Sequence, residues 1–264
     1  MSMTEGRLHR PFYRNGSEHR SGADVSFQDI VKVFGFRTVN VGRWVTPDEQ
    51  QIAANLFFDA LCDLQDILDV PEQVISLNGN LSLAFGVGGN KHSSAHYSPH
   101  KKQLALAKNA GGGALAHEWF HAFDHYICPR MYSEVTATDF ASAVWLESHE
   151  LIPHALNQML NECFHSIFLS PDGQQPSELV SNSAQTDKAL KMFYYAQPQE
   201  MAARAFEAFV QDMPIKNAFL VQGTKQSQEV KLGVYPSDAH KQDIKHRFIN
   251  YFQRLGATLS KGRM

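Results

Sequence analysis

The 264-residue sequence contains little cysteine, no long apolar run and no large excess of either charge. Its three cysteines, Cys62, Cys128 and Cys163, are widely spaced and form no CxxC pair, so neither a disulfide framework nor a cysteine-only metal site is expected. Lysine and arginine number 24 against 27 acidic residues, which gives no sign of the basic surface that nucleic acid or an anionic membrane requires. Since no run approaches about 18 apolar residues, no membrane span is expected. These absences predict buried thiols in a reducing compartment.

The first 25 residues are polar, contain glycine and serine, and lack periodicity. This composition predicts a flexible N-terminal arm over residues 1–25. The arm has no apolar region of the kind found in secretory signals, so we expect a cytoplasmic protein, with export that needs no cleaved signal still open. Since no repeat or low-complexity tract follows, we predict a single domain over residues 26–264.

Apolar periodicity predicts the main elements of that domain. Helical spacing occurs in FQDIVKVFGF, TPDEQQIAANLFFDALCDLQDIL, ALAHEWFHAFDHYI, QPQEMAARAFEAFVQDM and DAHKQDIKHRFINYFQRLGATL. In the second of these, Thr46 and Glu49 have the spacing of a capping box and Pro47 suits the first helical position. The third is expected to end at Cys128 and Pro129. Strands are predicted in FRTVNVGRWV, in LSLAFGVGG and around residues 103–107, and SPDGQQPSELVSNSAQTD is predicted to be a polar loop.

The stretch HEWFHAFDH places three histidines and two acids on an otherwise apolar helix. His117, Glu118 and His121 form an HExxH motif, in which the two histidines lie on one helix face and can bind one metal ion. Zinc suits neutral imidazole ligands. Glu118 adjoins the first ligand, where it can accept a proton from a zinc-activated water that attacks a carbonyl. The motif therefore predicts zinc-dependent hydrolysis, because buried polar groups in this number would otherwise make a poor core.

A catalytic zinc needs a third protein ligand and one open position. The metzincin extension would require glycine and histidine where this chain has Asp124 and Ile127, so that class is excluded. The best candidate is Glu200, which opens a later helix whose neighbours Ala202 and Ala203 allow close helix approach. Asp124 lies on the ligand face of the first helix, where it is predicted to hold a ligand imidazole by a hydrogen bond.

Several acids and histidines have alternative interpretations. Glu200 is also well placed, two residues after Pro198, to favour a helix N-terminus without binding metal. Glu207 shares its helix face and is the reserve ligand. Other possible contributors are Glu147, His149, Glu150 and His125, each of which can equally be a solvated surface residue.

The order of motifs resembles the zincin-like domain of the large polyvalent proteins found in phage and conjugative-element polyproteins, and most closely the stand-alone bacterial CLCA_X family. The resemblance covers about residues 26–126 and resumes at QPQEMAARAFEAFV and GVYPSDAHKQDIKHRF. HEWFHAFDHY with the later PQEMAARAFE is also similar to the catalytic domain of anthrax lethal factor, a zinc peptidase. In that enzyme the glutamate that opens the later helix is the third zinc ligand, which supports Glu200 here.

The resemblance implies a zincin-like α+β fold, with a small twisted sheet packed on the HExxH helix. It also implies a peptide or protein substrate that pairs with the edge strand of this sheet, and SSAHYSPHKKQLALAK is the candidate for that edge or its neighbour. Two features depart from the family. Phe120 stands where related motifs have a small residue, and residues 128–190 form a longer insertion than expected.

A peptidase also needs a group that stabilises the oxyanion of the tetrahedral intermediate. Tyr194 and Tyr195, just before the Glu200 helix, are the candidates, and Tyr235 is a third option; each can equally be a packing residue.

The leading hypothesis is thus a zinc metallopeptidase of the gluzincin type. The rival hypothesis is a non-catalytic protein-binding module with structural zinc or none. The fourth metal position separates the two: an exchangeable water favours an enzyme, whereas a fourth protein ligand such as His149 or Glu207 favours a structural site.

Overall fold

A computed structural model of the chain describes residues 7–87, 95–108, 112–147 and 149–261. Its helices are α1 Phe27–Phe34, α2 Pro47–Leu68, α3 Glu72–Ile75, α4 Leu115–Met131, α5 Ala141–Val144, α6 Ala155–Phe168, α7 Glu178–Leu190, α8 Pro198–Asp212, α9 Gln228–Lys231 and α10 Asp238–Lys261. Its strands are β1 Val39–Val41, β2 Ser82–Phe85, β3 Ala95–Ser98 and β4 Gln103–Leu106. The fold is α+β, as the sequence predicted. In the described part of the chain, no helix is both long and apolar enough to cross a membrane.

The four strands form one mixed sheet in the order β1-β2-β4-β3. The pairs β1–β2 and β2–β4 are parallel, and β3 runs antiparallel to β4. The segment predicted to supply the sheet edge or its neighbour supplies both, because β3 is an edge strand and β4 lies beside it. The start of that segment, residues 93–94, lies outside the described residues.

The chain divides into two compact units, Met1–Ala122 with Met213–Gln222 and Phe123–Asp212 with Gly223–Met264. In the first unit, the ring of Phe57 on α2 lies 5.6, 6.1 and 5.3 Å from those of Phe27, Phe85 and Phe219. This edge-on cluster joins α1, α2, β2 and the chain that follows Met213, and aromatic pairs of this geometry stabilise a core beyond the area that they bury.

The second unit has a phenylalanine core of its own. Phe248 on α10 lies 5.5 Å from Phe206 and 5.4 Å from Phe209, both on α8. Phe252, one turn later, lies 5.5 Å from Phe123 on α4. Every residue of α8 from Met201 to Val210 is buried, so this helix is the centre of the unit and its side chains are fixed by packing.

Helix α2 begins where local signals predicted. Thr46 accepts a hydrogen bond from the amide of Glu49, whose carboxylate accepts one from the amide of Thr46, so the capping box is formed. Lys108 lies 2.5 Å from the same carboxylate. This ion pair, together with the amide of Thr46, lowers the pKa of Glu49 to about 2.

Two predicted element boundaries were wrong. Helix α4 does not end at Cys128 and Pro129 but continues to Met131, with the amide of Tyr132 bonded to the carbonyl of Cys128 at 3.0 Å. Pro129 has no amide hydrogen to donate to the carbonyl of His125, so the last turn of α4 continues without that one bond. The predicted polar loop, residues 170–187, contains most of helix α7, whose N-terminus is capped by the side chain of Ser177.

The segment predicted as a flexible arm makes several ion pairs with α2. Arg14 donates to the fully buried carboxylate of Asp63 at 2.6 and 2.8 Å, and Asn217 donates to the same carboxylate at 2.7 Å. Arg20 donates to Asp59 at 2.9 and 3.1 Å. Charged hydrogen bonds of this kind hold a segment that has few apolar residues of its own.

Candidate metal centre

Two glycines and a distant loop fix the start of α4. The amide of Gly113 donates to the carbonyl of Phe219 at 2.7 Å, and the amide of Ala116 donates to that of Leu220 at 3.0 Å. A Cβ atom on Gly112 would lie 2.4 Å from the Cα atom of Phe219, and Gly113 has a φ of +109°. Glycine is required at both positions, since only it permits this approach and this backbone conformation.

Further along α4, large side chains fix the rotation of the helix about its axis. Trp119 is fully buried and its Nε1 donates to the carbonyl of Ile75, in α3, at 2.9 Å. Phe120, the departure from the family pattern, is also fully buried. Its ring therefore contributes to the interior of the protein.

His117 and His121 converge as the HExxH spacing predicted. Their Nε2 atoms are 3.1 Å apart and their ring planes are inclined by 80°. Two Zn–N bonds of about 2.0–2.1 Å at the tetrahedral angle would separate the nitrogens by about 3.3 Å. The same distance also fits a hydrogen bond from one protonated ring to the other. Their spacing thus requires either a shared proton or a shared cation.

The described residues contain one group of at least three metal-ligating side chains, and it consists of His117, His121 and Glu200. One ligand atom from each lies within 4.8 Å of the others. His121 is buried, and His117 and Glu200 are half-buried. Two imidazoles and one carboxylate form a donor set that suits zinc, so the residues present fit the metal that the motif predicts.

Glu118 lies between the two histidines in sequence and is half-buried. Its amide bonds to the carbonyl of Ala114 at 3.1 Å, so it belongs to the regular first turn of α4. Among the described residues, no side chain forms a hydrogen bond or an ion pair with its carboxylate. Its role as general base stays a prediction.

Asp124 is fully buried and accepts two hydrogen bonds from Ser142, one from the amide at 2.8 Å and one from the hydroxyl at 2.5 Å. These bonds fix the carboxylate between α4 and α5. Whether Asp124 also orients a ligand imidazole stays a prediction. His125, one residue later, is hydrogen-bonded through its Nε2 to the carbonyl of Ala137 at 2.8 Å.

Asp187, to which the sequence assigned no role, organises the turn that leads into α8. Its carboxylate accepts the amides of Tyr194, Tyr195 and Ala196 at 3.0, 2.9 and 2.8 Å. Asp187 is only 4% exposed. Three amide donors to one buried carboxylate make a rigid turn a few residues before Glu200.

We predict that Asp187→Ala lowers the free energy of unfolding by about 1–3 kcal/mol, because three buried amides lose their acceptor. Denaturant unfolding would measure the effect. The control is Asp172→Ala, which removes an exposed carboxylate that accepts bonds from Ser170 and Gln174 and should change stability much less. Equal stability of the two variants would contradict this account of the turn.

Arg204 is a second residue to which the sequence assigned no role. Its side chain is 3% exposed, and it lies one turn after Glu200, with Nη1 3.9 Å from Glu200 Oε2. Nε donates to the carbonyl of Val234 at 2.9 Å, and Nη2 donates to the carbonyl of Tyr195. The guanidinium carbon lies 5.3 Å from the centre of the Tyr195 ring. Burial lowers the pKa of Arg204, and the charge of Glu200 is the largest influence in the opposite direction.

The tyrosine candidates differ in their surroundings. The hydroxyl of Tyr235 donates to Oε2 of Glu207 at 2.9 Å, and burial raises its pKa. Burial, with the nearby charge of Glu229, also raises the pKa of Tyr195. Tyr194 is 40% exposed. Tyr235 is thus engaged by Glu207, and the oxyanion role of Tyr194 or Tyr195 stays a prediction.

The remaining acid–histidine cluster forms a separate surface pair. His149 Nε2 lies 3.0 Å from Glu147 Oε2, and His149 Nδ1 lies 3.3 Å from the carbonyl of Ser133. Neither residue belongs to the group of potential metal ligands, and neither does Glu207.

The three cysteines are free thiols, with Cys128 and Cys163 buried and Cys62 partly buried. Burial raises the pKa of Cys62 and of Cys128 to about 12, and it also raises that of Cys163. Thiols with such pKa values are poor nucleophiles and poor metal ligands near neutral pH. The prediction of buried thiols is confirmed for Cys128 and Cys163.

Comparison with known protein families gives a match in the C-terminal part of the chain. Residues 186–259 match the family described as large polyvalent protein-associated domain 1. The matched segment contains α8, α9 and most of α10, and so includes Glu200, but it does not include the HExxH motif. No curated protein and no solved structure matches the chain. The predicted likeness to large polyvalent protein-associated domains is confirmed for residues 186–259, and this match carries no assignment to zincins or metallopeptidases.

Proposed function

We propose that this protein is a zinc-dependent metallopeptidase of the gluzincin type. The observation that carries the proposal is the grouping of His117, His121 and Glu200, whose ligand atoms lie within 4.8 Å of one another. Catalytic zinc sites have three protein ligands and structural sites have four. Since no fourth potential ligand in the described residues joins this group, the donor set favours a catalytic centre.

His117, His121 and Glu200 would hold the metal. When bound, zinc supplies Lewis acidity, which makes a coordinated water acidic near neutral pH and polarises a carbonyl. Glu118 would take a proton from the attacking water and then donate it to the nitrogen of the leaving amine, so that it acts first as a base and then as an acid. Tyr195 or Tyr194 would donate a hydrogen bond to the oxygen that becomes negatively charged.

The segment before α8 favours a second candidate function, a non-catalytic module that binds protein. Leu190, Met192, Phe193 and Tyr194 are 52%, 45%, 70% and 40% exposed. Large apolar side chains that cluster on a surface often mark a binding site for another protein. On this alternative, zinc is structural or absent and peptides bind without being cleaved.

The test is a cleavage assay that separates the two candidates. Zinc-loaded protein is incubated with a defined mixture of peptides, and with no peptide at all, and the products are followed by mass spectrometry. We expect new peptide fragments that disappear when a chelator is added. Fragments of the protein itself in the sample without peptide would identify a self-processing peptidase. Binding of peptides without cleavage, by protein that contains one zinc per chain, would support the binding module and contradict the peptidase.

A further inference from the structure

Arg204 is a charged side chain placed within the buried stretch of α8. An ionised group in a protein interior is costly unless hydrogen bonds and an opposite charge offset its desolvation. Two of its three nitrogens meet this requirement by donating to the carbonyls of Val234 and Tyr195. The third, Nη1, is buried and has no hydrogen-bond partner among the described residues.

The nitrogen without a hydrogen bond is the one that faces Glu200. Nη1 lies 3.9 Å from Glu200 Oε2, about 1 Å longer than an N–H···O hydrogen bond. The two side chains therefore form an ion pair on one face of α8 without a hydrogen bond between these two atoms. The two carbonyl bonds hold the guanidinium itself in place, so Arg204 cannot turn away from Glu200 without losing them.

We propose that Arg204 is a positioning residue for Glu200. Its Nη1 holds the Oε2 side of the carboxylate, by a hydrogen bond that closes when zinc binds, and so fixes the orientation in which Glu200 acts as a ligand. Hydrogen bonds from outside the ligand set orient metal-binding carboxylates in this way and strengthen metal binding. This inference rests on the proposed metal centre, to which it adds the residue that orients the third ligand.

The competing explanation is that Arg204 only joins three parts of the chain. In that case its hydrogen bonds to the carbonyls of Tyr195 and Val234 would stabilise the fold, and its replacement would not change zinc affinity. Arg204→Lys separates the two explanations, because lysine keeps the charge but cannot donate in three fixed directions. The matched control is Tyr235→Phe, which deprives Glu207, on the same helix, of a buried hydrogen bond.

The experiment measures zinc affinity by competition with a chromophoric chelator, and the visible absorption spectrum of the cobalt-substituted protein. For Arg204→Lys we expect zinc affinity to fall about 10-fold to 100-fold and the cobalt spectrum to change. For Tyr235→Phe we expect lower stability with unchanged affinity and spectrum. Wild-type affinity and spectrum in Arg204→Lys would overturn the inference and leave the metal centre intact. Failure of the wild-type protein to bind zinc would overturn the metal centre and this inference with it.

If Arg204→Lys does not fold, the wild-type protein provides the test. Protein labelled with nitrogen-15 at arginine is titrated with zinc, and the signals of the solvent-protected guanidinium groups are followed by NMR. A protected guanidinium signal that shifts in step with zinc binding supports the inference. Guanidinium signals that stay unchanged while zinc binds would overturn it.

Discussion

Glu118→Gln is expected to leave zinc bound and to reduce peptide hydrolysis by about 10²-fold to 10⁴-fold, the usual contribution of a general base. Glutamine has nearly the size of glutamate but cannot take a proton. The metal ligands His117, His121 and Glu200 are unchanged, so zinc should bind as in the wild type. The measurements are the initial rate of cleavage of a confirmed substrate and the zinc content of the same sample.

The control for this substitution is Glu162→Gln. Glu162 lies on α6, pairs with Arg247 at 3.1 Å and is 46% exposed, so its replacement should leave the rate and the zinc content unaltered. Cleavage by Glu118→Gln at the wild-type rate would show that another group removes the proton. Loss of zinc from Glu118→Gln would show instead that this carboxylate contributes to the metal site, and the proposed division of roles would be wrong.

Zinc is expected to stabilise the wild-type protein against unfolding, and His117→Ala is expected to abolish that effect. A ligand that binds only the folded state adds about 4 kcal/mol to the free energy of unfolding at a free concentration 1,000 times its Kd. His117→Ala removes one of three protein ligands, and its unfolding midpoint should no longer respond to zinc. Thermal unfolding with and without zinc, in the same buffer, measures both effects.

His246→Ala serves as the matched control for this substitution. His246 is exposed on α10, where its Nε2 lies 3.0 Å from Nδ2 of Asn250. Its removal eliminates a histidine without touching the metal group, so zinc should still raise the unfolding midpoint. An equal response to zinc in His117→Ala and in the wild type would mean that zinc binds elsewhere on the chain.

The elements that the sequence predicted well are those with strong local signals. Helix α2 has its capping box at Thr46 and Glu49, and α8 has Pro198 at its first position followed by regular apolar spacing. Helix α7 was missed because its sequence is polar and gives little periodicity. Its formation depends on Ser177 at its N-terminus and on its few buried side chains, which become visible only in the folded chain.

The two histidines and the glutamate of the metal group could be predicted for different reasons. His117 and His121 are four residues apart on one helix, so helical geometry alone brings them together. Glu200 lies 79 residues after His121 in the numbering and was identified from its place in α8 and from a resemblance. Helical geometry alone does not bring Glu200 to the two histidines.

The supports of the site could not be read from the sequence, because they join distant parts of the chain. Asp187 holds the turn at residues 194–196, and Arg204 reaches the carbonyl of Val234, 30 residues later. The carbonyls of Phe219 and Leu220 meet the start of α4. A backbone carbonyl has no sequence signature, so partners of this kind appear only when the fold is known.

The metal content of the purified protein tests the central claim most directly. Elemental mass spectrometry is applied to the wild-type protein, His117→Ala and Glu200→Ala, each purified without added metal and again after exposure to zinc and removal of the excess. We predict about one zinc per chain in the wild type and a marked loss in both variants. A wild-type protein that holds no zinc even after zinc is supplied, or variants that hold as much as the wild type, would contradict the assignment of His117, His121 and Glu200 as a zinc site.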